Sequence, residues 1–294
     1  MPVRPSLRAD AALLVVAFMW GATFPVVKGA LVDASPLLYL VLRFALASLL
    51  LLPMASALRG RWGARELSGG ILLGALLALG FALQTVGLAS TTPSRSAFLT
   101  SLYVIFVPLL SVALTGHRPR SSSWLGALAA LGGLGLMTWQ GGLLRWQPGD
   151  LLTLACALAF ALHILGVGVL AGRYDFRRMF VIQILTAMVM LTLMLPLESI
   201  HFNPSLRLLL AVVATGVLAT HLALYIQNRA QRRTSASRAA IIFAMEPVFA
   251  ALVTAMLASG RSDLTLIQGC GGVLIVIGLV IAGLGSRGEG TTSP

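Results

Sequence analysis

Few residues in this chain could do chemistry, and several lie inside apolar runs where a charge is costly. Glu246 and Pro247 fall near the middle of Thr234–Leu257, TSASRAAIIFAMEPVFAALVTAML, which reads as one membrane-spanning helix. A carboxylate at that depth costs roughly 2.5–3.5 kcal/mol on insertion scales and normally faces a protein interior or a watery cavity. Proline has no backbone N–H, so a carbonyl near Phe243 loses its usual partner. A freed carbonyl beside a carboxylate could hold an amine, a proton or an ion. The competing reading is a structural kink whose acid is satisfied by a polar neighbour. Pro108 marks the expected bend in the earlier stretch Thr91–Leu114, TTPSRSAFLTSLYVIFVPLLSVAL.

Arg95 and Arg238 each begin a helix, where the positive end of the dipole disfavours a cation. They are candidates to attract a carboxylate or close a gate at a mouth of the bundle. Interfacial snorkelling is the competing reading, and the favoured one for Arg238. Arg43 lies about two turns into its span, so it needs a carboxylate or carbonyl partner; pairing within the bundle and contact with a ligand compete evenly. The candidate lining of a central pocket is Trp20, Tyr103, His163, Thr186, His221, Phe243 and Glu246, with Gln84 and Gln227 nearer opposite mouths. Aromatic walls with few polar groups suit an amphipathic organic solute. Two histidines on separate helices, without a cysteine or paired acid, give no metal set, and no metal or cofactor is expected. Cys156 and Cys270 fall inside apolar spans and read as packing residues. Gly132–Gly135 and Gly269–Gly272 also lie inside spans with no following Lys-Ser/Thr, so they predict close helix packing rather than a nucleotide loop.

The elements that must position these groups are membrane helices. The 294 residues are 58% hydrophobic and 10% charged, with mean hydropathy +0.93. A soluble chain carries about 25% charged residues. Apolar runs of the ~20 residues needed to cross hydrocarbon recur throughout, whereas the short alternating segments of a barrel are absent. Ten helices are expected, at 9–29, 36–57, 68–88, 94–115, 122–140, 150–171, 178–197, 205–227, 235–257 and 265–285. The first, after Arg4 and Arg8, is long for a signal sequence and reads as retained. The net charge of +12 comes from arginines gathered in alternate loops, as the positive-inside rule requires, and not from a nucleic-acid surface. Those loops hold Arg59, Arg61 and Arg65, then Arg118 and Arg120, then Arg173, Arg177 and Arg178, then Arg229, Arg232, Arg233 and Arg238, and finally Arg287. Lys28, Arg145, Arg207 and Arg261 fall on the other side. Both termini are therefore expected in the cytoplasm.

A constant shift of 143 positions pairs Thr91 with Thr234, Ser94 with Ser237, Arg95 with Arg238, Ala97 with Ala240 and Phe106 with Phe249. It also pairs Gln84 with Gln227, Gly126 with Gly269 and Gly135 with Gly278. The chain reads as two copies of one unit, 9–140 and 150–285. Five crossings per copy would insert the second upside down relative to the first. The expected fold class is thus an all-α polytopic membrane protein with ten transmembrane helices as two inverted five-helix repeats.

The stretches LQTVGLASTTPSRSAFLTSLYVIFVPLL (Leu83–Leu110), WGATFPVVKGAL (Trp20–Leu31) with Leu42–Phe44, and Thr234–Leu252 with Gln268–Ile281 resemble the EamA family of the drug/metabolite transporter superfamily. The resemblance covers roughly residues 10–285. It implies a ten-helix exporter of small metabolites, often amino acids, with aromatic ones among the candidates. It also implies a multi-pass protein of the bacterial cytoplasmic membrane that meets a small-molecule substrate and the lipid bilayer as a monomer or homodimer. Glu246 is then the candidate for proton coupling, with downhill movement as the other option. The chain departs from the family where the fourth and ninth helices often end in Gly-Glu; here Gly116–His117 and Ser259–Gly260 stand instead. A nucleoside carrier is one alternative, and a polytopic enzyme acting on lipid-linked substrates another. Enzymes of that kind gather acids, histidines or a nucleophile at one membrane face, whereas the acids here are scattered, so no enzyme is expected.

Overall fold

A computed structural model describes residues 7–54, 63–116, 119–138, 147–257 and 265–285. Arg4, Arg59, Arg61, His117, Arg118, Arg145, Ser259, Gly260, Arg261 and Arg287, which enter the readings above, lie outside the described residues.

The described chain is helical. In order come α1 (Leu7–Ala30), α2 (Pro36–Leu49), α3 (Ala64–Ala89), α4 (Pro93–Ser101), α5 (Tyr103–Thr115), α6 (Ser121–Thr138) and α7 (Pro148–Leu170). Then follow α8 (Phe176–Met194), α9 (Leu206–Ala214), α10 (Ala223–Ala230), α11 (Ala236–Phe243), α12 (Glu246–Leu257) and α13 (Leu266–Gly285). Seven stretches are long and apolar enough to cross a membrane, and three shorter apolar helices, Pro36–Leu49, Ser121–Met137 and Leu266–Ala282, lie where the second, fifth and tenth spans are expected. Large apolar side chains such as Leu52, Leu193, Met256 and Leu266 stand largely exposed. In water such a surface would aggregate; against lipid tails it is solvated. The protein is a multi-span membrane protein.

Three expected continuous helices are interrupted. α4 and α5 part at Leu102, where Leu102 N bonds Leu99 O (3.3 Å) and Ile105 N bonds Leu102 O (3.0 Å), a locally tighter turn. α11 and α12 part at Ala244–Met245, where Met245 N bonds Ile242 O at 3.1 Å. Pro247 follows directly and has no N–H to return the chain to the α-ladder. The break in the first stretch thus lies at Leu102, and Pro108 sits inside α5 rather than marking it. The third interruption is a π-helical segment, Thr215–Leu222, between α9 and α10.

Helix starts follow local chemistry. Thr92 caps α4 by accepting from Arg95 N (3.3 Å), and Ser235 caps α11 by accepting from Arg238 N (3.2 Å). The two caps are again 143 residues apart. Gly116, at φ 66°, ends α5 in the left-handed conformation that glycine adopts without strain. α13 packs along α6, α3 lies against α7 and α8, and α1 lies against α12. Between α6 and α13 the backbones nearly touch: a Cβ at Gly271 would lie 2.6 Å from Gly133 O and 2.8 Å from Met137 Cγ. Gly269 faces open space. The glycine clusters therefore divide into packing and non-packing positions.

Outside the spans, the loop after α1 is tied to the start of α9. Ser35 N bonds His201 O (2.9 Å) and Asn203 N bonds Asp33 O (2.7 Å). Arg207 grips Asp33 with two bonds of 2.8 Å, and Ser205 adds one of 2.6 Å. Hydrogen bonding from Arg207, then Ser205, holds the Asp33 carboxyl down at about 2.

Gly271→Leu should lower the thermal stability of the detergent-solubilised protein by about 1–3 kcal/mol through overpacking. Gly269→Ala should be neutral or stabilise by about 0.5–1 kcal/mol, since it only removes a flexible residue from a helix. Thermal unfolding of both variants checks the pair. Asp33 has a lowered folded pKa, so its contribution is complete above its unfolded value of about 3.9 and is lost only as pH falls through 2. Asp33→Asn should accordingly lower the melting temperature equally at pH 5 and pH 8; a deficit that shrinks at pH 5 would contradict the pairing.

Candidate functional site

Both helix breaks deliver their first residue to the same place. Tyr103 opens α5, Glu246 opens α12, and Tyr103 Oη donates to Glu246 Oε1 at 2.7 Å. The two residues are 143 apart, so they are equivalent positions of the two halves facing each other. Tyr103 is the sole donor to Glu246 among the described residues, and the carboxylate is 3% exposed. One neutral hydrogen bond is thin compensation for a buried carboxylate.

α1 comes close enough to shield this point because it carries glycine there. A Cβ at Gly21 would run into the Glu246 carbonyl and lie 2.9 Å from Phe249 Cβ. Next to it, Trp20 donates from Nε1 to Ala219 O at 2.8 Å and packs on Phe243 with ring centroids 5.0 Å apart. Ala219 belongs to the π-helical segment, a geometry that recurs at functional sites. The same segment supplies Thr220 Oγ1, which accepts from Arg43 Nε at 2.5 Å, and Thr215, which bonds Tyr39 at 2.7 Å.

These groups surround a cavity of about 50 Å³. That is room for a few water molecules. Trp20, Gln84, Tyr103, His163, Gln227 and Glu246 all line it. They form three pairs at the 143 spacing: Trp20 with His163, Gln84 with Gln227, and Tyr103 with Glu246. Gln84 and Gln227 thus sit on the central wall and not at opposite mouths. Three residues singled out in the sequence are elsewhere. Thr186 packs against Gly74 between α3 and α8. Phe243 is fully buried behind Trp20. His221 places Nδ1 3.2 Å from Ala47 O and its ring edge-on to Phe180, beside a separate hollow lined by Asp175, Arg177 and Arg178. Small or aromatic residues at helical spacing carry no mark of which face turns inward, so periodicity could not separate these from the lining.

Arg43, which the sequence left between two readings, lines the cavity. It is 3% exposed, its guanidinium lies 4.5 Å from the Phe81 centroid, and no carboxylate pairs with it among the described residues. Thr23, Phe24, Phe81 and Phe160 complete much of the wall. Their types gave no signal, because phenylalanine in an apolar run reads as packing. The 143 shift could have found the Tyr103–Glu246 and Trp20–His163 pairs, but their residue types differ and conceal the correspondence. Among the described residues no three potential metal ligands cluster.

Arg95 and Arg238 are both ion-paired. Arg95 reaches Asp150 at 2.5 and 2.9 Å, and Thr91 also donates to Asp150, at 3.1 Å. Arg238 reaches Asp10 at 2.5 and 3.0 Å. Snorkelling therefore does not describe Arg238: its side chain is 13% exposed and holds a carboxylate. Each pair joins one half of the chain to the other, α4 to α7 and α11 to α1. Each aspartate lies in a helix first turn, where the dipole favours an anion. The pairs mark opposite ends of α1. Asp10 is in its first turn, whereas Lys28, in its last, donates at 2.8 Å to the Leu88 and Ala89 carbonyls just before Thr91. At 1.5 Å per residue those ends are about 27 Å apart.

Removing the Tyr103 hydroxyl leaves Glu246 without its donor. Tyr103→Phe should therefore destabilise by about 1–3 kcal/mol, and far less in a Glu246→Leu background, which has no acceptor for the hydroxyl. A thermal-stability double-mutant cycle checks the coupling, and additive effects would refute it.

The profile of the EamA-like transporter family matches residues 7–139 and again 147–284. An uncharacterized transporter of Archaeoglobus fulgidus is 34% identical over 95% of this chain and 86% of its own. The uncharacterized inner membrane transporter YedA of Escherichia coli K12 is 29% identical over 97% of this chain and 94% of its own. A solved crystal structure superposes with TM-score 0.75 at 21% identity, covering 97% of this chain and 100% of that one, a likeness of fold. A membrane transporter of this family works on a small molecule within a lipid bilayer. With both halves matched, the chain belongs to the EamA-like transporter family.

Proposed function

We propose that the protein is a ten-span secondary transporter whose halves, 9–140 and 150–285, insert in opposite orientations and alternate access to the central cavity. Its cargo is small amphipathic metabolites, foremost amino acids with aromatic ones among them, exported across the bacterial cytoplasmic membrane with both termini inside. The hydrogen bond between Tyr103 and Glu246 carries this reading. Equivalent residues of two copies touch only near an axis relating the copies. Here they touch where two similarly broken helices meet at a cavity, which supports opposite insertion of the two halves. Tyr103 lies eight residues beyond Arg95 and Glu246 eight beyond Arg238, so each ion pair is about 12 Å of helix from the centre. Such a layout supports alternation: opening one end costs one cross-half ion pair while the other keeps the far end shut. The named residues then have roles. Trp20, Tyr103, His163, Glu246, Gln84 and Gln227 line the substrate site, Arg95 and Arg238 hold the gates, and Glu246 is the coupling group.

Purified protein in liposomes should show saturable uptake from a panel of labelled amino acids and nucleosides, run with and without a pH gradient. Glu246→Gln should reduce that uptake at least about tenfold at equal insertion; full uptake with unchanged pH dependence would remove Glu246 from the mechanism. Arg95→Cys/Asp150→Cys and Asp10→Cys/Arg238→Cys pairs, in a Cys270→Ser background and bridged by a reducible bifunctional thiol reagent long enough to replace the arginine side chain, should each stop transport and recover on reduction. Undiminished transport by a cross-linked pair would eliminate the gate at that end.

A further inference from the structure

Resting on the transport reading, we infer that the cavity selects zwitterions: Arg43 takes the carboxylate of an α-amino acid, and Glu246, Gln227 and His163 take its ammonium. Arg43 is a buried cation held in place by Thr220 and Phe81, with Nε committed to Thr220. Its remaining N–H groups meet no acceptor among the described residues, although a guanidinium offers a planar fork that matches a carboxylate. Glu246 is a buried carboxyl group with a single neutral donor. The Arg43 guanidinium and the Glu246 carboxyl group line one cavity without pairing with each other, so a zwitterion would bring each of them a partner of opposite charge.

The neutral groups can be oriented from backbone carbonyls, which only accept. Gln231 Nε2 donates to Ile164 O (3.0 Å), so its Oε1 accepts from Gln227 Nε2 (2.8 Å). Gln227 Oε1 is then left buried on the cavity wall with no donor. In the same way Asn228 Nδ2 donates to Leu224 O (2.8 Å), and Asn228 Oδ1 accepts from Gln183 Nε2 (2.9 Å). Gln183 Oε1 must therefore accept from His163 Nε2 (2.9 Å). That puts a proton on Nε2, and in the neutral imidazole it leaves Nδ1 as an acceptor. The cavity thus carries one cationic donor and three acceptors short of donors: the Glu246 carboxylate, Gln227 Oε1 and His163 Nδ1. An ammonium group has three N–H donors. Phe160, edge-to-face with Phe81 at 5.3 Å, adds an apolar wall for the substrate side chain.

The test is counterflow of a labelled amino-acid mixture into proteoliposomes of the full chain, with labelled uridine in parallel. The amino acid that exchanges best is then competed by itself, by its decarboxylated amine and by its deaminated acid. In the unmutated protein both analogues should compete at least about tenfold more weakly, because each leaves one buried charge unpaired. Arg43→Gln should erase the advantage of the amino acid over the amine, and Arg43→Lys should keep part of it. Equal competition by either analogue, or an Arg43→Gln variant that inserts, exchanges and still prefers the amino acid, would overturn the zwitterion site while leaving the carrier standing. Exchange of uridine but of no amino acid would do the same. Exchange of neither solute would sink the transport reading and this inference together.

Discussion

A carboxylate buried between two interrupted helices is the constraint around which this molecule is arranged. Glu246 can stay in the bundle only if lipid is kept from it and a polar group or water meets it. Tyr103 supplies the hydrogen bond, and it reaches Glu246 because the first half breaks its helix at the same register as the second. α1 covers the site because Gly21 lets its backbone approach the Glu246 carbonyl. The helix breaks, the glycine and the cavity thus meet at one buried carboxyl group.

The ends of the bundle obey the opposite logic. There the charges are satisfied: Arg95 by Asp150, Arg238 by Asp10, and Asp33 by Arg207 and Ser205. Strong pairing near the interfaces and weak compensation at the centre give the bundle closed ends and a core short of partners. A solute bearing matching groups would correct that imbalance, which is the physical reason for such a site to bind anything. The π-helical segment belongs to the same design. Its wider turn presents the Ala219 carbonyl to Trp20 and the Thr220 hydroxyl to Arg43, so both cavity residues are anchored by one irregular element.

Elsewhere the packing is that of a protein with no hydrophobic effect between its helices. Contact between α6 and α13 depends on Gly133 and Gly271 meeting backbone to backbone, and the apolar side chains left outside are dressed for lipid. This scaffold confers the fold that brings the cavity-lining groups together.

Class and rough layout were legible in the residues alone, because hydrocarbon demands long apolar runs and a duplication leaves matched residues at constant spacing. That Glu246, Tyr103 and Trp20 would line a central cavity was legible too, since polar or amphipathic groups at mid-span are rare. What only the tertiary structure decided is which groups meet. Equivalence by position is not contact, so the sequence held Tyr103 and Glu246 at a spacing of 143 without revealing that they touch. Asp10 and Asp150 carry no mark of the arginines they hold, for those partners come from the other half of the chain. Arg43, Phe81 and Phe160 reach the cavity through helix rotation, which an apolar run on all faces does not encode. Thr186, His221 and Phe243 turn away from it for the same reason.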